Sequence, residues 1–148
     1  MRALSAVLFA FLLAAGPAVA LPVEKITVDT ARGHTAFKVE IASDHASQEK
    51  GLMFRKKMAA NAGMLFDFHT TVMTSFWMKN TILPLDIIFI RTDGTVSSIA
   101  ANAVPMSETP IPASEPVQAV LELNAGRAAQ IGLAPGDKVH SAIFKTGR

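Results

Sequence analysis

The chain has 148 residues, half of them hydrophobic, with 14 Lys+Arg against 12 Asp+Glu and no cysteine. A net charge of +2 is too small to track a phosphate backbone, so nucleic acid is not expected as a partner. Without cysteine there is no disulfide to staple the fold and no thiol to carry a lipid, so stability must come from the core of one domain of ordinary size.

Residues 1–20 read as a secretory signal: Arg2, an apolar run from Ala3 to Ala15, Gly16-Pro17, and the small-residue ending Ala18-Val19-Ala20. That run falls short of the roughly 20 residues of a spanning helix, and no later stretch approaches this length without polar interruption. The expectation is an exported domain over residues 21–148, periplasmic or extracellular, with no stable membrane insertion after cleavage. From Ile26 to Ile41 apolar residues alternate with polar ones around a turn at Ala31–His34, the pattern of a hairpin with one solvated face. Ser43 is placed to cap a short helix over Asp44–Lys50, with Gly51 to end it.

Gly63–Phe68, Ser75–Lys79, Leu85–Ile90 and Thr95–Ala101 then have strand-like apolar content, separated by turn signals such as Asn80 and Asp93-Gly94. Pro105, Pro110, Pro112 and Pro116 exclude regular structure from Asn102 to Pro116 and predict a long ordered loop, a type of segment that often serves a site. A strand over Val117–Leu123, a short helix from Asn124 through Ile131 closed by Gly132, and a last strand over Lys138–Phe144 complete the chain. Strands outnumber helices and there is no sustained strand–helix alternation. The fold class is therefore mainly β (α+β): a compact, mostly antiparallel sheet or partly open barrel with two short helices.

Several separated motifs carry a family resemblance: Gly51-Leu52-Met53-Phe54-Arg55, Gly63-Met64-Leu65-Phe66, Phe76-Trp77-Met78-Lys79-Asn80-Thr81 with Pro84-Leu85-Asp86, then Val120-Leu121-Glu122-Leu123, Ala125-Gly126 and Gly136-Asp137. In this order the chain resembles the domain-of-unknown-function family numbered 192, over roughly Phe37 to Phe144. The resemblance implies a compact β-rich domain with small helices and no established activity. Many members place a cysteine where this chain has Met106, so any thiol-dependent role of that position would be absent here.

The chemistry concentrates in Ser75–Ile90, a largely apolar segment that holds the sole tryptophan, Trp77, and whose only ionisable groups are Lys79 and Asp86. A buried carboxylate or ammonium needs a partner, and for Asp86 the expected one is Lys79 or Arg55. Trp77 shares strand parity with Ser75 and Lys79, so its ring and the ammonium could face a cleft together with Asn80, while the basic run Lys50, Arg55, Lys56 and Lys57 could add an anion patch. Asp86 and Glu122 each interrupt an apolar face. If those faces converged, the two would form the acid/base pair of a hydrolase, one pKa raised by desolvation.

Six candidate residues follow: Arg55, Trp77, Lys79, Asn80, Asp86 and Glu122. The first reading makes them the surface of a binding or accessory module for a small polar or glycan-like ligand. The second is the hydrolase, and the third a purely structural or protein-interaction domain in which the same residues only hold the fold. No cofactor and no metal site are expected: Met53, Met64 and Met78 lie in apolar motifs, and His34, His45, His69 and His140 match no ligand spacing, which leaves His69 with Met73, or Met106, as the best metal candidates.

Overall fold

The computed structural model describes residues 20–144; the signal-like residues 1–19 lie outside the described residues. The expected hairpin is formed by β1 (Val23–Thr30) and β2 (Gly33–Ala42), in antiparallel register from Val23 opposite Glu40 to Thr30 opposite Gly33. Alternation places Ile26, Val28, Phe37 and Val39 on the buried face.

The helix α1 (His45–Lys50) follows, but its cap is Asp44 rather than Ser43. Asp44 wins because Ser47 stands three residues on: the Ser47 N–H donates to Asp44 Oδ1 at 3.0 Å and the Asp44 N–H to Ser47 Oγ at 3.3 Å. These reciprocal bonds satisfy two donors at once, whereas Ser43 would find Ala46 in that place. Gly51 ends the helix at φ 45°, where a Cβ would come within 3.2 Å of the Phe66 ring. The chain then crosses over, and β3 (Ala62–Val72) runs parallel to β2, Lys38 opposite Ala62 and Ala42 opposite Phe66, a pairing that the alternation pattern did not signal.

The remaining elements are β4 (Ser75–Phe76), β5 (Leu85–Ile90), β6 (Val96–Ala103), β7 (Ile111–Pro112), β8 (Val117–Asn124), α2 (Arg127–Ile131) and β9 (Lys138–His140). Seven strands form one curled half-barrel sheet in the order β6-β5-β8-β3-β2-β1-β9, and β4 pairs with β7 in a separate ribbon. Three expected elements are shorter than their apolar content suggested. β4 stops at Phe76: past it, Met78 N–H donates to the Ser107 carbonyl at 2.8 Å and Asn80 turns the chain at φ 53°. Asn124 ends β8 instead of opening a helix, its amide donating to the carbonyls of Met58 and Ala59 at 3.1 Å each, and α2 begins after left-handed Gly126. The last strand ends at His140.

Both faces of the sheet are covered. On one, Ile26, Phe37, Leu65, Ile88, Leu121 and Leu123 pack with Ile131 and Leu133 of the α2 region. On the other, Met64, Phe66, Ile87, Phe89 and Val120 pack with Leu52 and Met78. The central strands are thus enclosed twice, which explains why β5 and most of β8 read as nearly continuous apolar runs. Among the described residues no helix is long and apolar enough to cross a membrane.

Candidate functional site

Register decides the fate of the two central acids. Asp86 lies opposite Leu123, and its neighbour Ile87 lies opposite Glu122, so the two carboxyls leave the sheet on opposite faces. They do not converge, and the acid/base pair expected of a hydrolase does not form. Asp86 is fully buried on the α2 side. Its Oδ1 accepts from the N–H groups of Asn102 (2.9 Å) and Gly126 (3.1 Å), and its Oδ2 from that of Ala128 (2.8 Å). Neither Lys79 nor Arg55 is its partner: this carboxylate is held by backbone amides and ties the start of α2 to the end of β6.

Glu122 is in the opposite condition. It is 4% exposed, flanked across the strands by Met64 and Ile87, and among the described residues no hydrogen bond reaches its carboxyl. Burial alone pushes its pKa up from 4.5 to about 8, so the group is a neutral acid at pH 7. Backbone closeness accentuates its position: a Cβ on Gly63 would stand 2.6 Å from the Glu122 carbonyl oxygen, so only glycine lets β3 approach β8 here.

This carboxyl lines a cavity of about 620 Å³. Three phenylalanines form much of the apolar wall, Phe76 meeting Phe66 edge to face at 5.0 Å and Phe68 at 6.5 Å. Gln48, Glu49 and Lys50 of α1 line one side of the cavity, and Trp77 and Lys79 the other. Trp77 is 47% exposed, with Lys79 Nζ 5.0 Å from the centre of its ring. Trp77 is therefore not a core residue, whereas Met78 beside it is. No residue of α1 is buried; Gln48 fastens the helix by donating to the carbonyls of Asp67 (2.8 Å) and Ala42 (3.3 Å).

Of the six candidates, Trp77, Lys79 and Glu122 line one cavity and the other three do not. Arg55 forms a two-pronged ion pair with Glu40, at 2.5 and 2.6 Å, which holds the Glu40 carboxyl below its usual range and raises the guanidinium above its own. It lines a second cavity of about 550 Å³ across α1, with Leu21, Pro22 and Ser47. Asn80 serves the turn: its carbonyl accepts from Phe54 N–H at 2.8 Å, at a left-handed φ that asparagine tolerates. Phe66, Phe68 and Phe76 escaped attention as site residues, although the Phe66/Phe68 spacing of two already put those rings on one face. His69 engages both ring nitrogens, Nδ1 with Asp67 at 3.1 Å and Nε2 with the Ser43 carbonyl at 2.9 Å, while Met73 and Met106 are exposed.

The comparisons agree with this architecture. The DUF192 family model, described as an uncharacterized ACR, matches residues 26–141. The chain belongs to this family. It is similar to a crystal structure from Sinorhizobium meliloti, described as a candidate transcription regulator, with 47% identity, a TM-score of 0.83, and coverage of 86% of this chain and 99% of that one. It is also similar to a protein of unknown function from Novosphingobium aromaticivorans, with 48% identity, a TM-score of 0.80, and coverage of 86% and 94%. No curated protein matches.

Proposed function

We propose that this chain is an exported small-ligand binding module whose site is the cavity between α1 and the Ser75–Lys79 segment, and that it takes a small polar ligand with a flat apolar face, sugars being the type case. The observation that carries the reading is the Glu122 carboxyl, buried and without a hydrogen-bond partner, in a cavity whose rim presents a half-exposed tryptophan. A largely desolvated polar group without a protein partner costs stability, and a ligand hydroxyl, carbonyl or amine reaching it through the cavity would reduce that cost. The face of Trp77 suits the C–H face of a sugar ring, and a cavity of about 620 Å³ is of the size that encloses small molecules. Export is supported by the signal-like residues 1–20.

A hydrolase built on Asp86 and Glu122 has no support, since Asp86 is spent on α2. The description of the Sinorhizobium protein concerns that protein, and the small net charge of this chain offers little to a nucleic acid. A thermal-shift panel of mono- and disaccharides, amino acids and small anions tests the reading. A compound that raises the melting temperature of the parent but not of Trp77→Ala is the expected result, because a ligand that binds only the folded form must stabilise it. Silence across the panel, or an equal shift in Trp77→Ala, would refute it.

A further inference from the structure

The charges around the cavity are not arranged at random with depth. Five ionisable side chains line it: His45, Glu49, Lys50, Lys79 and Glu122. His45 and Glu49 pair with each other at 3.4 Å along α1, both well exposed. That leaves three groups without an ionic partner among the described residues: the buried acid Glu122, and the outer ammoniums of Lys50 and Lys79, the latter resting on the Trp77 ring. The buried acid stands among aromatic rings, whose negative faces attract cations, and the ring that meets the rim already seats one.

A simple anion would satisfy the lysines and leave the acid unpaired; a simple amine would satisfy the acid and meet two cations on the way in. Resting on the small-ligand reading above, we propose that the ligand of this cavity is a zwitterion, its ammonium group seated against Glu122 and its anionic group, carboxylate or phosphate, held at the rim by Lys50 and Lys79. The group facing Glu122 is the cationic one, because Met64 and Ile87 flank that carboxyl across the strands and no basic side chain of β3, β5 or β8 lines the cavity, while the basic groups come from α1 and the segment after β4. Seating the ammonium converts Glu122 from acid to carboxylate, so its proton passes to solvent as the complex forms. The carboxylate and ammonium then form a charge-assisted bond at the largely buried end of the cavity.

The test is isothermal titration of the purified protein at pH 7 with three probes of one shape: L-phenylalanine, 2-phenylethylamine, which lacks the carboxylate, and 3-phenylpropionate, which lacks the amine. Each is run in two buffers of different ionisation heat, with the sugars of the thermal-shift panel measured alongside. Phenylalanine is expected to bind at least about tenfold more tightly than either analogue and to release up to about one proton. Glu122→Gln, a neutral substitution of the same shape, should abolish the proton release and the advantage over phenylpropionate. Lys79→Met should abolish the advantage over phenylethylamine and keep the proton release. Equal affinities for the three probes, or tight phenylalanine binding with no proton released, overturn the zwitterion. If sugars alone bind, through Trp77, the zwitterion falls and the small-ligand reading stands; if neither probes nor sugars bind, both fall.

Discussion

Asp86 and Glu122 occupy neighbouring strands of one sheet, one residue out of step, and their surroundings differ in every respect that matters to a charge. Asp86 receives three backbone N–H groups and is closed off beneath α2. Glu122 receives none and lines a cavity. The first carboxylate replaces its water with fixed donors and becomes part of the fold. The second keeps its desolvation cost uncompensated and stays protonated, a local disadvantage that a fold tolerates where a site needs it. Burial of an acid is thus a poor guide to function, while the inventory of donors around it separates the two cases.

Removing the satisfied acid should have the largest effect. Asp86→Ala strands three N–H groups at the junction of β6 and α2, that of Ala128 buried and those of Asn102 and Gly126 part-buried, and with about 1–3 kcal/mol for the buried group and less for the other two the loss should reach about 3 kcal/mol in urea unfolding. Asp86→Asn keeps one oxygen and should lose less. A drop below about 1 kcal/mol for Asp86→Ala would show that α2 does not depend on this anchor.

Glu122→Gln should act in the opposite direction and only as pH rises. The folded protein holds a proton on Glu122 up to about pH 8, which the unfolded chain releases near 4.5. The folded state therefore binds more protons in that window, and stability, greatest below 4.5, falls by up to about 1.4 kcal/mol per pH unit as pH rises through it. Between pH 5 and 8 the parent should lose roughly 3 kcal/mol from this group and the glutamine variant nothing. Carboxylates held low, such as Asp93 at about 2, titrate below the window. Parallel slopes for parent and variant in urea melts from pH 5 to 8 would mean that Glu122 is solvated. A smaller loss, about 1 kcal/mol and reduced by salt, is expected for Arg55→Ala, since its pair with Glu40 is partly exposed. Because Arg55 lines the other cavity, binding in the Trp77 groove should not change.

Much of the fold was legible because single strands carry their own period. The β1–β2 hairpin follows from alternation, β5 and β8 from apolar runs of strand length, and both glycine helix ends from turn chemistry. Within β5 the period of two by itself separates Leu85, Ile87 and Phe89 from Asp86, Ile88 and Ile90, and these sets do face opposite sides of the sheet. What the chain could not disclose was which faces meet. In β5 and β8 both faces are covered, so apolar content points nowhere, and whether Asp86 and Glu122 share a side depends on a register between strands more than thirty residues apart. The shortened β4 was hidden for a related reason: Trp77 and Lys79 have strand-like spacing, but the loop bonded to Met78 through Ser107 leaves the ladder after two pairs. Trp77 and Lys79 were found because a lone tryptophan and a lone lysine stand out in an apolar run. The phenylalanine wall was missed because aromatic residues in strands ordinarily mean core.

The smallest expected change in stability is the most informative for function. With nearly half of Trp77 exposed and its ring in contact with the Lys79 ammonium, Trp77→Ala should cost less than about 1 kcal/mol, the scale of an exposed cation–π contact plus modest burial. A purely structural role predicts that binding and stability change together, as they should for Asp86. A site role predicts that they separate, with melting almost unchanged and ligand-induced stabilisation gone. Urea unfolding of Trp77→Ala beside the parent, with and without the compound that stabilises the parent, measures both quantities in one series. A loss above about 2 kcal/mol without ligand would place the ring in the core after all and return this end of the cavity to the fold.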